Sequence, residues 1–270
     1  KKSVEYHKKS LEVKKLFYGE DHYEIANSCC NLASVYNHLK QYDLAKENFQ
    51  KALEIFKAAF GKDHIRTAPP INGLGLLYGH LGEYEKAAEC FETAIPIVRS
   101  AYGELHPDTA GIYDNLGSCY YELEEHQKAK EYLEKALEAR RIIYKEKHYA
   151  TVTSLIGVGA VYGELGQYEK MEESYKEGLE MACKLFGEES AMMGDYYNGI
   201  GKASERIGEF FIAIEYYKKA LDIFMRRIEE EIDYIIKIAE LIKKIVNLYE
   251  LSGEEEKAKM FYSDKLNEIS

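Results

Sequence analysis

Four histidines, His22, His64, His106 and His148, stand forty-two residues apart in the 270-residue chain. Each closes a similar phrase: "YGEDH", "FGKDH", "YGELH" and "YKEKH". Imidazole is a common metal ligand and acid–base group, so a repeated histidine asks to be tested as chemistry first. A zinc site needs ligands that converge on one point at about 2.0–2.1 Å. Equivalent atoms of successive helical repeats lie a helix diameter or more apart, on the order of 10 Å. One histidine per repeat, with no cysteine or carboxylate clustered at ligand spacing, builds no such site. The pattern also lapses, with Lys145 in place of glycine and Ser190 where a fifth histidine would fall. A structural joint fits the phrase better. A ring followed by Gly at the end of an amphipathic stretch reads as a helix C-cap with left-handed Gly. Pro107 directly after His106 is a favoured first helical residue. Each histidine is therefore expected at or near the N-cap of the next helix.

Other chemistry meets the same test. "GLGLLYG" (73–79) and "GVGAVYG" (157–163) carry G-x-G spacing. A dinucleotide loop needs a preceding strand and a helix that starts at the glycines. Here the glycines fall inside a helical stripe and repeat in phase, which predicts close helix packing. No Walker loop, nucleophile elbow or H-E-x-x-H is present. No nucleophile stands in a motif with a base and an orienting carboxylate. No catalytic residue, cofactor or metal is expected, and the chain is not read as an enzyme.

The elements that hold these residues follow from internal repetition. "NLASVYNHLKQYDLAKENFQKALEIF" (31–56) returns at 73–98, 115–140, 157–182 and 199–224, with a degenerate copy at 244–266. Residues 1–17 fit the second half of a copy. Apolar residues recur at i, i+3, i+4 and i+7, the helical period. Leu32, Tyr36 and Leu39 form one stripe; Leu44, Ala45, Phe49, Ala52, Leu53 and Phe56 form another. A short polar turn separates them, carrying Gly82, Gly166 and Gly208 in three copies. Each unit is a helix–turn–helix hairpin. Small residues (Ala33, Gly75, Gly117, Gly159, Gly201) recur on the first helix and Ala45, Ala87, Ala129 and Ala213 on the second. Phe49, Phe91, Tyr175 and Tyr217 are expected to fill the space they leave. Pro96 should kink a second helix, and Pro69–Pro70 should delay the start of a first. A single hairpin cannot bury both stripes, so neighbours must stack into a solenoid.

Composition sets the frame. Hydrophobic residues make up 46%, and Lys plus Arg (36) against Asp plus Glu (47) leaves a formal charge of −11. That is apolar enough for a large core and too acidic for a phosphate-backbone binder. It disfavours anionic membranes and favours neutral or basic partners over acidic ones. No apolar run reaches membrane-spanning length. Five cysteines without a C-x-x-C pair point to buried thiols and a reducing, cytoplasmic setting. The opening Lys-Lys-Ser, partway through a helix, reads as the start of a fragment of something longer.

The recurring Leu-Gly/Ala-x-x-Tyr-x-x-Leu-Gly-x-Tyr-x-x-Ala-x-x-x-Phe-x-x-Ala resembles the tetratricopeptide repeat (TPR). Its 42-residue period and FGxxH joint are similar to the kinesin-light-chain variant. The fold this implies is all-α, a right-handed α-solenoid of stacked TPR hairpins. Residues 1–225 form the array: a partial hairpin at 1–17, then about five 42-residue repeats. Residues 226–270 form a divergent helical pair capping the same solenoid. Met171, Gly178 and Ser204 depart from the pattern.

In that family the first helices line a concave face that holds peptides or partner segments. By position, the resemblance assigns Asn37, Asn72, Asp114, Tyr121, Asn198, Lys202 and Arg206 to this face. Asn amides both donate and accept, which suits a peptide backbone, and Tyr121 offers a rigid contact. A carboxylate clamp needs several cations, and only Lys202 with Arg206 qualifies, so that variant is not expected. In the C-terminal stretch, Ile228, Ile232, Ile235 and Ile242 form a heptad-like stripe. Ile238, Leu241, Ile245 and Leu248 form a second stripe beside it. Two stripes suit a helix packed within the stack, or else a dimerising or partner-docking helix. The expected role is a non-catalytic scaffold binding a protein or peptide, with no nucleic acid, membrane or metal, as a monomer or weak homodimer. A peptide-responsive sensor controlling an attached effector and a self-assembly module are the competing readings.

Overall fold

The two apolar stripes of each copy become two helices because the turn between them cannot continue a helix. The computed structural model describes residues 2–145, 147–230 and 232–269, which form thirteen α-helices and no strand. After α1 (Lys2–Tyr18), the helices pair as α2 (Tyr23–His38) with α3 (Tyr42–Phe60) and α4 (Ala68–His80) with α5 (Tyr84–Tyr102). Then come α6 (Pro107–Glu122) with α7 (His126–Tyr144) and α8 (Tyr149–Glu164) with α9 (Tyr168–Phe186). The last pairs are α10 (Ala191–Arg206) with α11 (Phe210–Met225) and α12 (Ile232–Leu251) with α13 (Glu255–Ile269). The chain divides into two compact units, Lys1–Ile143 and Tyr144–Ser270. No helix among the described residues is long and apolar enough to cross a membrane.

The hairpin turns share one closure. In the first, Lys40 N–H donates to Asn37 C=O (3.0 Å) and Gln41 N–H to Tyr36 C=O (2.9 Å). These are the paired hydrogen bonds of a Schellman cap, which needs a residue at positive φ. Gly82 supplies it at φ 75°, but Lys40 (57°) and Glu124 (61°) adopt it with side chains.

Packing inside three of the hairpins brings a ring against bare backbone, at Gly75, Gly159 and Gly201. A Cβ at Gly75 would lie 2.7 Å from the Phe91 ring, and one at Gly201 2.6 Å from Tyr217. Phe91 and Tyr217 are buried, as are Ala45, Ala87, Ala129 and Ala213 on the second helices. The first G-x-G pair is thus a packing device, Gly73 facing Phe49 as Gly75 faces Phe91, and Gly159 of the second pair faces Tyr175. Where Met171 replaces the usual Ala, Gly163 on the facing helix gives it room; a Cβ there would lie 2.9 Å from the Met171 sulfur.

Pro69–Pro70 delays a helix as its ring geometry requires. A 3-10 turn (Ile65–Thr67) comes first, and α4 has 13 residues where α2 and α6 have 16. Pro96 stands on the exposed side of α5, which runs through it for 19 residues. At the C-terminal end, α12 buries Ile238, Leu241, Ile245 and Leu248 with Leu221 and Phe224 of α11.

Candidate functional site

The joint histidines are caps in all four places. His22, His64, His106 and His148 have extended backbone (ψ 141–143°). Each Nδ1 accepts the N–H two residues on: Glu24 (3.3 Å), Arg66, Asp108 and Ala150 (3.2 Å each). The ring four residues back stacks on each imidazole, from 4.8 Å for Phe60–His64 to 3.6 Å for Tyr144–His148. Ser190 caps α10 in the same way through Oγ, accepting from Met193 N–H at 3.3 Å. The lone pair a metal would use is already engaged. Among the described residues, no three His, Cys, Asp or Glu side chains gather at one point.

One detail of the joint differs from expectation. Gly61 ends α3 at φ 90°, ψ 161°, outside the left-handed helical well and in a region only glycine occupies without strain. The chain must extend at once to reach the cap, so ψ swings out. The sequence reading also missed a threonine in the joint. Thr67 Oγ1 donates to His64 C=O (2.7 Å) and Thr109 Oγ1 to Gly103 C=O (2.8 Å). The spacing His-x-x-Thr, repeated at Thr151, was the signal for it.

Within the unit Lys1–Ile143, a cleft of about 560 Å³ opens between the first turns of α4 and α6, with the end of α5 behind. Pro69, Asn72, Tyr102, Asp108, Gly111 and Asn115 line it, with Arg66 on the far wall. Gly111 faces open space here: an added Cβ would find no heavy atom within 4 Å. Asn72 Oδ1 is shut from solvent without a hydrogen-bond partner. The Arg66 guanidinium lies over the rings of Tyr23 (4.9 Å) and Phe60 (5.3 Å).

Of the seven candidate partner-binding residues named above, Asn72 alone lines this cleft. Asn37 is half-buried, its Oδ1 3.1 Å from His80 Nδ1. Asp114 is paired with Arg140 at 3.0 Å, an almost buried ion pair. Tyr121 is half-buried, its ring edge-on to His126. In the unit Tyr144–Ser270, Asn198 Oδ1 is buried without a hydrogen-bond partner, Lys202 is exposed, and Arg206 pairs with Glu164 at 2.7 Å. Asn115, Tyr102 and Asp108 were not read as site residues. Asn115 follows Asp114 directly, and only the helix's orientation reveals that it faces the cleft.

The C-terminal stripe divides. Ile235 is 48% exposed and Ile228 half-buried, while Ile242 is 8% exposed and belongs to the core. The side chain of Ile232 lies outside the described residues. Ile228, Ile235 and Ile242, with Val246, Tyr262 and Leu266, line a groove of about 590 Å³ along α12 and α13.

The cysteines are free thiols, Cys29 and Cys119 buried. Burial pushes Cys30 and Cys119 up to about 12 and Cys90 to about 11, which makes them poor nucleophiles.

The tetratricopeptide-repeat family model matches residues 24–100, 70–142, 108–184 and 150–226. No curated protein sequence matches the chain. Among solved structures, BtubC (BKLC) from P. vanneervenii is similar at 20% identity and TM-score 0.66, covering 82% of this chain and 89% of that one. A Podosopora anserina putative kinesin light chain with nearly identical TPR-like repeats is similar at 19% identity and TM-score 0.61, covering 75% and 96%. A Rap protein complexed with Competence and Sporulation Factor is similar at 19% identity and TM-score 0.60, covering 93% and 70%.

Proposed function

The chain belongs to the tetratricopeptide-repeat family, in the 42-residue variant similar to that of kinesin light chains, and from this premise we propose a non-catalytic protein-interaction scaffold. Its ligand is an extended segment of a protein or peptide, held in the cleft between α4 and α6. The observation that carries this is Gly111. A glycine inside a helix costs roughly 0.5–1 kcal/mol relative to Ala. Gly73, Gly75 and Gly117 are accounted for by rings or branched side chains that touch them, whereas Gly111, like Gly79 at the end of α4, has open space beside it, and of these two Gly111 lines the cleft. Clearance for the close approach of another backbone accounts for it. Asn72 and Asn115 stand at the floor, where their amides suit the donors and acceptors of a peptide.

The test is selection of a random peptide library on the full chain, followed by anisotropy titrations with the enriched peptides. Peptides that bind wild type and lose affinity for Gly111→Leu support the cleft. Equal affinity for both proteins would remove the cleft from the proposal.

The chain's −11 charge favours neutral or basic partners, and five free cysteines suit a reducing, cytoplasmic setting. The packing of α12 on α11 supports reading residues 226–270 as a cap on the repeats that precede them. A second reading, a weak homodimer, is favoured by the exposed Ile235 in its apolar groove. Ile235→Lys should then lower the sedimentation mass at high concentration. An unchanged monomer mass in wild type would end that reading. Ile242 is unsuited to this test, because it is buried and its lysine variant would unfold the helix pair.

A further inference from the structure

We propose that the α4/α6 cleft selects a lysine or arginine side chain on the bound segment; this rests on the cleft being the binding site. The hydrogen-bonding groups it presents are short of donors. Asn72, whose buried Oδ1 lacks a partner, lines the cleft. The Asp108 side chain is 66% exposed, and no lysine or arginine pairs with it among the described residues. Its one cationic candidate, His106, lies 3.8 Å away, but His106 Nδ1 already accepts the Asp108 N–H. That lone pair is therefore engaged, and the exposed Asp108 carboxylate is open to a further partner.

The walls suit the rest of such a side chain. Pro69, Pro107 and Ile112 offer apolar surface to an aliphatic stem. Tyr102, half-exposed and fixed by stacking on His106 at 4.3 Å, offers a ring face to a cation. Arg66 is the opposing charge. Its guanidinium is held over Tyr23 and Phe60 on the far wall, so a basic side chain is directed to the Asp108 wall. The joint at Tyr18–His22 shares the Tyr–Gly–x–x–His frame, but the acid two residues on, Glu24, is paired there with Lys14 at 3.1 Å.

The experiment uses peptides selected from a random library on the 270-residue chain. Enriched peptides should share one lysine or arginine. Its replacement by norleucine should weaken binding about tenfold or more, as should Asp108→Asn in the protein, on the scale of a charged hydrogen bond. Melting curves check that Asp108→Asn and Gly111→Leu remain folded; neither site is packed against neighbours. Peptides that lose binding to Gly111→Leu yet tolerate norleucine would overturn the basic-side-chain inference and leave the cleft standing. Peptides that bind Gly111→Leu unchanged, or a selection that enriches nothing, would overturn the cleft reading and this inference with it.

Discussion

His64 does its work through one lone pair and one ring face. Its Nδ1 caps the turn that leads into α4, and Phe60 holds the ring in place. His64→Ala should cost about 0.5–2 kcal/mol in urea unfolding, the range of a lost cap. His64→Asn, which keeps a side-chain acceptor, should recover most of it. Lys40 is the opposite case, a side chain where the turn suits glycine. At φ 57° it bears a backbone penalty that Gly82 avoids in the next hairpin. Lys40→Gly should gain about 0.5–1 kcal/mol by relieving that conformation. A loss would mean that the lysine side chain contributes something the turn geometry does not show.

Between helices, the same substitution has opposite signs depending on what faces it. At Gly201, a new Cβ would meet the Tyr217 ring at 2.6 Å. Tyr217 cannot retreat, being fully buried with its Oη bonded to Glu205 (2.5 Å) and Lys244 (3.0 Å). Gly201→Ala should destabilise by about 1–3 kcal/mol, the cost of overpacking. Gly111→Ala meets open space and should stabilise by roughly 0.5–1 kcal/mol. The two variants measured side by side, as urea midpoints, test whether packing or clearance explains each glycine. Two midpoints moving in the same direction would contradict this distinction.

Across the whole molecule, buried acids set the response to alkali. Burial raises the thiols of Cys30 and Cys119 to about 12 and Cys90 to about 11. Tyr113 rises to about 12 by burial and by its hydrogen bond to the Glu104 carboxylate. A folded-state value above the unfolded one means that the fold favours the protonated group. That stabilisation is complete below the unfolded values, near 8.5 for Cys and 10 for Tyr, and is lost as pH rises toward the folded ones. Unfolding free energy should therefore hold steady up to about pH 8 and fall between about pH 9 and 12. A flat urea midpoint from pH 8 to pH 10.5 would contradict this.

The forty-two-residue beat by itself determined the helical hairpins, the ring–Gly–x–x–His joint and the small-against-large packing of Gly75 on Phe91 and Gly201 on Tyr217. These are local or nearest-repeat relations, and a periodic sequence writes them out in order. Tertiary structure decided what each polar residue does. Asp114 and Arg140, twenty-six residues apart, pair with each other, and nothing in their spacing announces it. Asn72 and Asn115, from different repeats, come to one cleft, while Asn37 turns to His80. The glycines of one helix class look alike as letters, but Gly75 is filled by a ring and Gly111 faces open space. A side chain's partner depends on the rotation and approach of neighbouring helices, which the repeat pattern leaves free. Hydrophobic periodicity names the buried face, and only the assembled helices say which polar groups are left without a partner.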